Sequence, residues 1–206
     1  MKRIASKITL LFLCLGIWLP MSAEFRWGPV LGGNYSTLKF KQDLIDVKSA
    51  GGFTAGVMGE MMFPGIGLGV DIGLNYTMHG AKVNLGEKEV WSSDGYGNQV
   101  VNIHAIQIPV NLRFKYTRLN GFEDKLAPFV YGGPIFSITA GHSNIKAYDF
   151  PGGCVMLQCG IGAEIHKNYQ ISAGYYWGMT YEIRTKKLDN FSARSQGWKL
   201  SLCYLF

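Results

Sequence analysis

The nine residues 198–206, WKLSLCYLF, constrain this chain more than any other stretch. Trp198, Leu200, Leu202, Tyr204 and Phe206 share one parity, and Lys199, Ser201 and Cys203 the other. That is the period of a strand with one apolar and one wetter face. As the edge of a soluble sheet such a strand would recruit other chains. It suits a closed barrel in a membrane, where the apolar face meets lipid and every backbone group is paired.

The alternation returns in seven further segments. Residues 25–36 set Phe25, Trp27, Leu31 and Tyr35 against Arg26, Gly28, Gly32 and Asn34. Residues 52–62 set Phe53, Val57 and Met61 against Thr54, Gly56 and Glu60. Residues 67–78 are the clearest, with Leu68, Val70, Ile72, Leu74 and Tyr76 opposing Gly69, Asp71, Gly73, Asn75 and Thr77. Residues 101–116 carry Ile106, Ile108, Val110, Leu112, Phe114 and Tyr116 against Gln107, Asn111, Arg113 and Lys115. Pro109 lies mid-strand there and predicts a bulge or kink, because it removes a ladder donor. Residues 127–139 are apolar on both parities and assign no face. Residues 153–165 and 169–181 alternate again, with Glu164 on the polar side. Strands this long exceed the about five or six residues usual in soluble sheets and suit a tilted bilayer crossing. The fold expected is all-β, an eight-stranded antiparallel up-and-down transmembrane β-barrel over residues 24–206.

The connections orient it. Residues 37–51, 79–100, 140–152 and 182–196 read as long polar loops, whereas the turns after the second and sixth segments are short and the one after the fourth is intermediate. Long loops outside and short turns inside are the rule for outer-membrane barrels, so both termini are expected on the periplasmic side of a bacterial outer membrane. The loop 79–100, with Trp91 and Tyr96, is the candidate contact surface.

Residues 1–23 read as a cleaved secretory signal peptide: Lys2, Arg3 and Lys7, then an apolar run of about a dozen residues, then Ser22 and Ala23. Such a run is short of the roughly 20 residues that span a bilayer as a helix. Cleavage takes three of the six net positive charges with it. With no clustered Lys/Arg stripe in what remains, a nucleic-acid partner is not expected. Cys154, Cys159 and Cys203 are left. The first two have opposite parity on one strand, and Cys154 and Cys203 fall at opposite ends of the expected barrel, so free thiols are expected.

On the polar parity Arg26, Glu60, Asp71, Arg113 and Glu164 are all expected to point into the lumen and to lie toward its periplasmic half. Isolated buried charges are very costly, so a paired cluster is expected to fill the lower lumen as a structural network. Eight strands enclose room for side chains or one small ligand, which argues against a diffusive pore. Catalytic signals are poor. His79 and His104 could meet near the outer rim with Ser92 or Asp94, but no spacing is diagnostic, and no catalytic residue, cofactor or metal site is assigned. Asp94, Asp149 and Asp189 form no calcium run. The aromatics are more informative: Tyr35, Phe53, Tyr76, Trp177, Tyr181 and Trp198 fall at the outer ends of strands. Phe25, Trp27, Phe63, Phe114, Tyr116, Tyr169, Tyr204 and Phe206 fall at the inner ends. Two such belts match two headgroup layers.

Four stretches carry a family resemblance: IQIPVNLRFKY (106–116), APFVYGGP (127–134), GIGAEIHKNYQISAGYYWGMT (160–180) and the terminal WKLSLCYLF. They resemble the outer-membrane β-barrel proteins of Bacteroidetes-type bacteria, a group that includes PorT-like proteins. The resemblance implies service to a protein-secretion system for PorT-like members. A terminal strand ending in Phe206 also resembles the signal read by the outer-membrane insertion machinery. The expected role is therefore non-enzymatic: structural, surface-binding or secretion-accessory, for a monomer whose partners are outer-membrane lipid and an extracellular or secretion-system protein. The rivals are a membrane lipid-modifying enzyme and a secreted soluble barrel with a lipid inside, the latter requiring the apolar parity to face inward.

Overall fold

The computed structural model describes residues 24–41, 46–63, 67–86, 97–116, 125–145, 148–185 and 192–206. Residues 1–23, expected to be a signal peptide, and Trp91, Ser92, Asp94 and Tyr96 of the expected contact surface lie outside the described residues, as does Asp189.

The eight long strands are β1 (Glu24–Phe40), β2 (Asp46–Met62), β3 (Leu68–Asn84), β4 (Asn98–Lys115), β5 (Leu126–His142), β7 (Gly153–Ile165), β8 (Tyr169–Gly178) and β10 (Ser192–Tyr204). Each pairs antiparallel with its sequence neighbour, and β1 pairs with β10, from Val30↔Cys203 to Phe40↔Ala193, which closes the barrel. Two short strands, β6 (Tyr148–Asp149) and β9 (Ile183–Thr185), pair with each other, and β9 extends from β10. Both ends of the described chain lie at one rim, where the Phe206 amide donates to the Trp27 carbonyl.

Apolar side chains cover the outside. Leu31, Leu112, Ile161 and Phe25 are each at least 64% exposed, while Glu60, Asp71 and Arg113 are buried. A soluble barrel with a greasy interior is thereby ruled out over the membrane-facing band. The β5 faces left open by its pattern resolve here: Val130, Phe136 and Ile138 face out, and Phe129, Ile135 and Ser137 face in. The rings of Phe129 and Tyr131 lie over the glycines of β7 and β8. A Cβ on Gly162 would overlap the Phe129 ring, and one on Gly174 the Tyr131 hydroxyl.

Three expectations need correcting. The strands run four to six residues further into several presumed loops, to Phe40, Asn84 and back to Asp46 and Ser192. The register passes Pro109 without a shift, from Ile108↔Phe136 and Pro109↔Ile135 to Leu112↔Gly132, and the bulge falls between His104 and Ala105 instead. The pyrrolidine ring is accommodated because Gly73 sits across from it, where a Cβ would come within 3.0 Å of the ring. The third correction concerns His79 and His104, which do not meet: His79 pairs with Ile103 and Met78 with His104, so the two rings stand on opposite faces of the sheet. His104 is outside, 2.6 Å from the Tyr76 hydroxyl.

Candidate functional site: a lumen filled in layers

The inward parity of β1, β2, β3, β4 and β7 brings all five expected charges together near the rim that carries the termini. Arg26 lies 2.6 Å from Glu60 and 2.8 Å from Glu164. It also donates to the Lys167 carbonyl in the β7–β8 turn. Arg113 is 2.6 Å from Glu60 and 2.8 Å from Asp71, and its guanidinium lies 4.1 Å from the Phe129 ring centre. Two further members go beyond the sequence expectation. Lys115 bridges Glu60 at 2.8 Å and Glu164 at 2.6 Å. Gln170 accepts from Arg113 at 2.7 Å and donates to both glutamates. The signal for both is present in the sequence, since each lies on a polar parity. Arg26, Arg113 and Lys115 thus face Glu60, Asp71 and Glu164, a balanced set in which Glu60 is shared by three cations and has no solvent exposure.

Above this cluster is a cavity of about 50 Å³, lined by Asn75, Asn111, Arg113, Gln158, Ser172 and Lys199 among others. That is space for a few water molecules at most. Gln158 donates to Asn111 at 2.7 Å across its wall, and elsewhere in the polar interior Thr77 donates to Gln107 at 3.0 Å and meets Thr54 at 3.2 Å.

The next layer has no counterpart among the sequence expectations. Glu182, in the link between β8 and β9, folds inward and meets His79 Nε2 at 2.9 Å, and Ser195 donates to the same carboxylate. Both His79 and Glu182 are buried. Burial alone would raise the Glu182 carboxyl, but the facing His79 ring and the hydrogen bonds it accepts outweigh burial and hold it below the ordinary carboxylate range. Over this pair the interior turns apolar: Leu38, Phe40, Val83, Val101, Ile103, Tyr148 and Ile183 form one buried cluster, with Ile183 and Tyr148 supplied by β9 and β6. No group of three metal-ligating side chains occurs among the described residues. Among the described residues the free cysteines are Cys154 and Cys203, both buried, and Cys159, exposed on the outside.

The aromatics fall into two rings around the outside. Trp27 and Phe206 are 5.3 Å apart between centroids, and Tyr204 lies 5.0 Å from Phe206 and 5.0 Å from Tyr169 at the terminal rim. Phe114 is exposed at the same level. At the far level Trp198 meets Tyr175 at 5.1 Å, Tyr175 lies 6.3 Å from Trp177, and Tyr76 lies 5.9 Å from Phe53.

Comparison with known proteins fits this geometry. The profile of the outer membrane protein beta-barrel domain family matches residues 20–184. Among solved structures, the outer membrane protein OprG of Pseudomonas aeruginosa shares 10% identity at a TM-score of 0.51, covering 90% of this chain and 97% of its own. Neisserial surface protein A (NspA) shares 12% identity at a TM-score of 0.48, covering 90% of this chain and 99% of its own. At 10% identity the likeness to OprG concerns the fold. No curated protein matches the chain.

Proposed function

Since the chain belongs to the outer membrane protein beta-barrel domain family and is a small eight-stranded barrel of the bacterial outer membrane, we propose that it is a non-conducting, non-enzymatic anchor whose working surface is the rim opposite its termini. The termini face the periplasm, and the loop rim faces outward. The role is surface binding; the likeness to PorT-like barrels extends it to service of a secretion apparatus, with Phe206 and its strand addressed to the insertion machinery. The observation that supports this reading is the succession of filled layers. An ion cluster, a polar belt, the His79–Glu182 pair and an apolar plug occupy the interior in turn, so the fold invests in closure rather than passage. The separation of His79 from His104, on opposite faces of the sheet, supports the non-enzymatic half. The test is planar-bilayer recording of the refolded protein. It should give no unitary conductance at neutral pH, and stable, voltage-independent steps would refute the reading.

A further inference from the structure

Beyond the far aromatic ring the outward face turns basic. Lys39 on β1 stands directly opposite Arg194 on β10, and Lys48 on β2 directly opposite Lys82 on β3. All four side chains are exposed. Four adjacent strands, β10, β1, β2 and β3, therefore each carry an outward cation at closely similar height. Like charges directly opposite on paired strands are destabilising, and here two such pairs stand side by side. On the outward side, Asp46 lies two residues from Lys48, and Asp149 stands opposite Arg184 on β9. No ion pair joins either to these cations.

A second feature adjoins the row. The regular ladder between β7 and β8 ends at Met156↔Gly178; at the next residue the Val155 carbonyl accepts from both the Met179 and the Thr180 amides, while β7 continues against β5 to Gly153. Beside this irregular end lies a groove of about 660 Å³ on the outside, lined by Phe136, Ile138, Val155, Met179, Tyr181 and Arg184. Phe136, Ile138 and Met179 are 46%, 54% and 50% exposed. The Arg194 guanidinium lies 4.7 Å from the Tyr181 ring centre, so two arginines flank the top of an apolar trough.

Height links the two features to a lipid. Lys39 lies four residues beyond Tyr35, which pairs with Trp198 in the aromatic ring. At about 3.3 Å per residue and a tilt of about 40° that is about 10 Å further along the membrane normal. The headgroup region adds about 5–8 Å to each side of the hydrocarbon core, and a long basic side chain folded back toward it covers the remainder. A soluble polyanion would need the cations but not the trough; an uncharged lipid would need the trough but not the cations.

We propose that this flank binds a phosphate-bearing lipid of the leaflet around the loop rim, with acyl chains in the β7–β8 groove and phosphates on Arg184, Arg194, Lys39, Lys48 and Lys82. The proposal rests on the orientation given above only for which leaflet supplies the lipid; binding in a symmetric bilayer is independent of it.

The test is native mass spectrometry of the full refolded barrel, titrated with bisphosphorylated lipid A, its dephosphorylated form and inorganic polyphosphate. The bisphosphorylated lipid should bind saturably and the dephosphorylated form far more weakly. At about fivefold per basic residue near an anionic surface, the triple variant K39Q/K48Q/R194Q should bind about a hundredfold less tightly. V155W, which fills the groove without altering charge, should weaken binding too, and K125Q, at the other rim, should leave it unchanged. Without phosphates present K48Q should be at least as heat-stable as the parent, which shows that a loss of binding is not a loss of fold. Equal binding of the two lipids, or unchanged binding by the triple variant, would overturn the proposal. Tighter binding of polyphosphate than of lipid would overturn it in favour of a soluble polyanion. Surface labelling of the loop rim on intact cells reads orientation separately, so that reading and this one fail independently.

Discussion

Replacing Glu60 by Gln tests the lumen reasoning most directly. Glu60 is fully buried and accepts from Arg26 at 2.6 Å, Arg113 at 2.6 Å, Lys115 at 2.8 Å and Gln170 at 2.7 Å. The substitution keeps shape and one acceptor oxygen but leaves three cations facing two carboxylates. Breaking a buried pair by neutralising one partner costs about 3–5 kcal/mol, because the remaining charge is buried uncompensated. Asp71→Asn should cost less, about 1–3 kcal/mol, since among the described residues Asp71 bonds Arg113 alone. The decisive variant is the pair E60Q/K115M, which restores the balance of charge. Its cost should fall short of the sum of the single costs by about 1–3 kcal/mol, the range for residues sharing a network. The assay is urea unfolding of the vesicle-embedded barrel, followed by tryptophan fluorescence, with heat-shifted gel migration reporting the folded fraction. A cost for E60Q below about 1 kcal/mol, or strict additivity in the cycle, would mean that water solvates these charges and that the cluster does not hold the lower barrel together.

Two further outcomes follow from the other surfaces of the wall. Leu200 is 57% exposed on the outside between Gly33 and Ala173, so Leu200→Arg should destabilise by about 2–4 kcal/mol in vesicles of ordinary thickness; normal folding yield and stability would reverse the assigned face. Glu182 titrates below its ordinary value of 4.5 in the folded state, so its contribution to stability is fully present above that value and is lost as pH falls through the lower, folded value. Unfolding midpoints measured from about pH 7 down to about pH 3 should therefore drop less steeply for E182Q than for the parent, and parallel profiles would show that the carboxylate is not held by His79.

The band between the aromatic rings was legible because one rule governs it throughout. Lipid outside and a narrow lumen inside force apolar and polar residues onto alternate parities, so Val70 against Asp71 or Leu112 against Arg113 declares its face without any tertiary information. The cluster members follow from parity alone; Lys115 and Gln170 share that parity, although the sequence by itself did not single them out. What could not be read was the part of the barrel past the far ring. There the outer surface meets water and the interior is capped by β6 and β9, so the rule inverts: Lys39 and Lys82 point out while Leu38 and Val83 point in. A window expecting apolar residues outside sees such a segment as patternless and polar, which is why the strand residues 37–40 and 79–84 look like loop. Glu182 and Ser195 are hidden with them.

The inversion is reached in two different ways, and the difference explains where the bulge must be. On β1 and β3 the parity never slips: Leu31, Tyr35 and Lys39 all point out, and the residue types change while the geometry continues. On β2 the sequence itself shifts phase, because Phe53, Val57 and Met61 face out on odd positions whereas Asp46 and Lys48 face out on even ones. A strand can change phase and stay in its sheet only by inserting a residue, and the register between β2 and β3 does shift between Ser49 and Phe53. The two glycines there, Gly51 and Gly52, leave the backbone free of side chains where the strand must bend. Without that extra residue Lys48 would point into the apolar plug and Val47 into water, at the expense of a buried unpaired cation. The β2 bulge therefore lets the apolar plug and the basic outer row share the same strand.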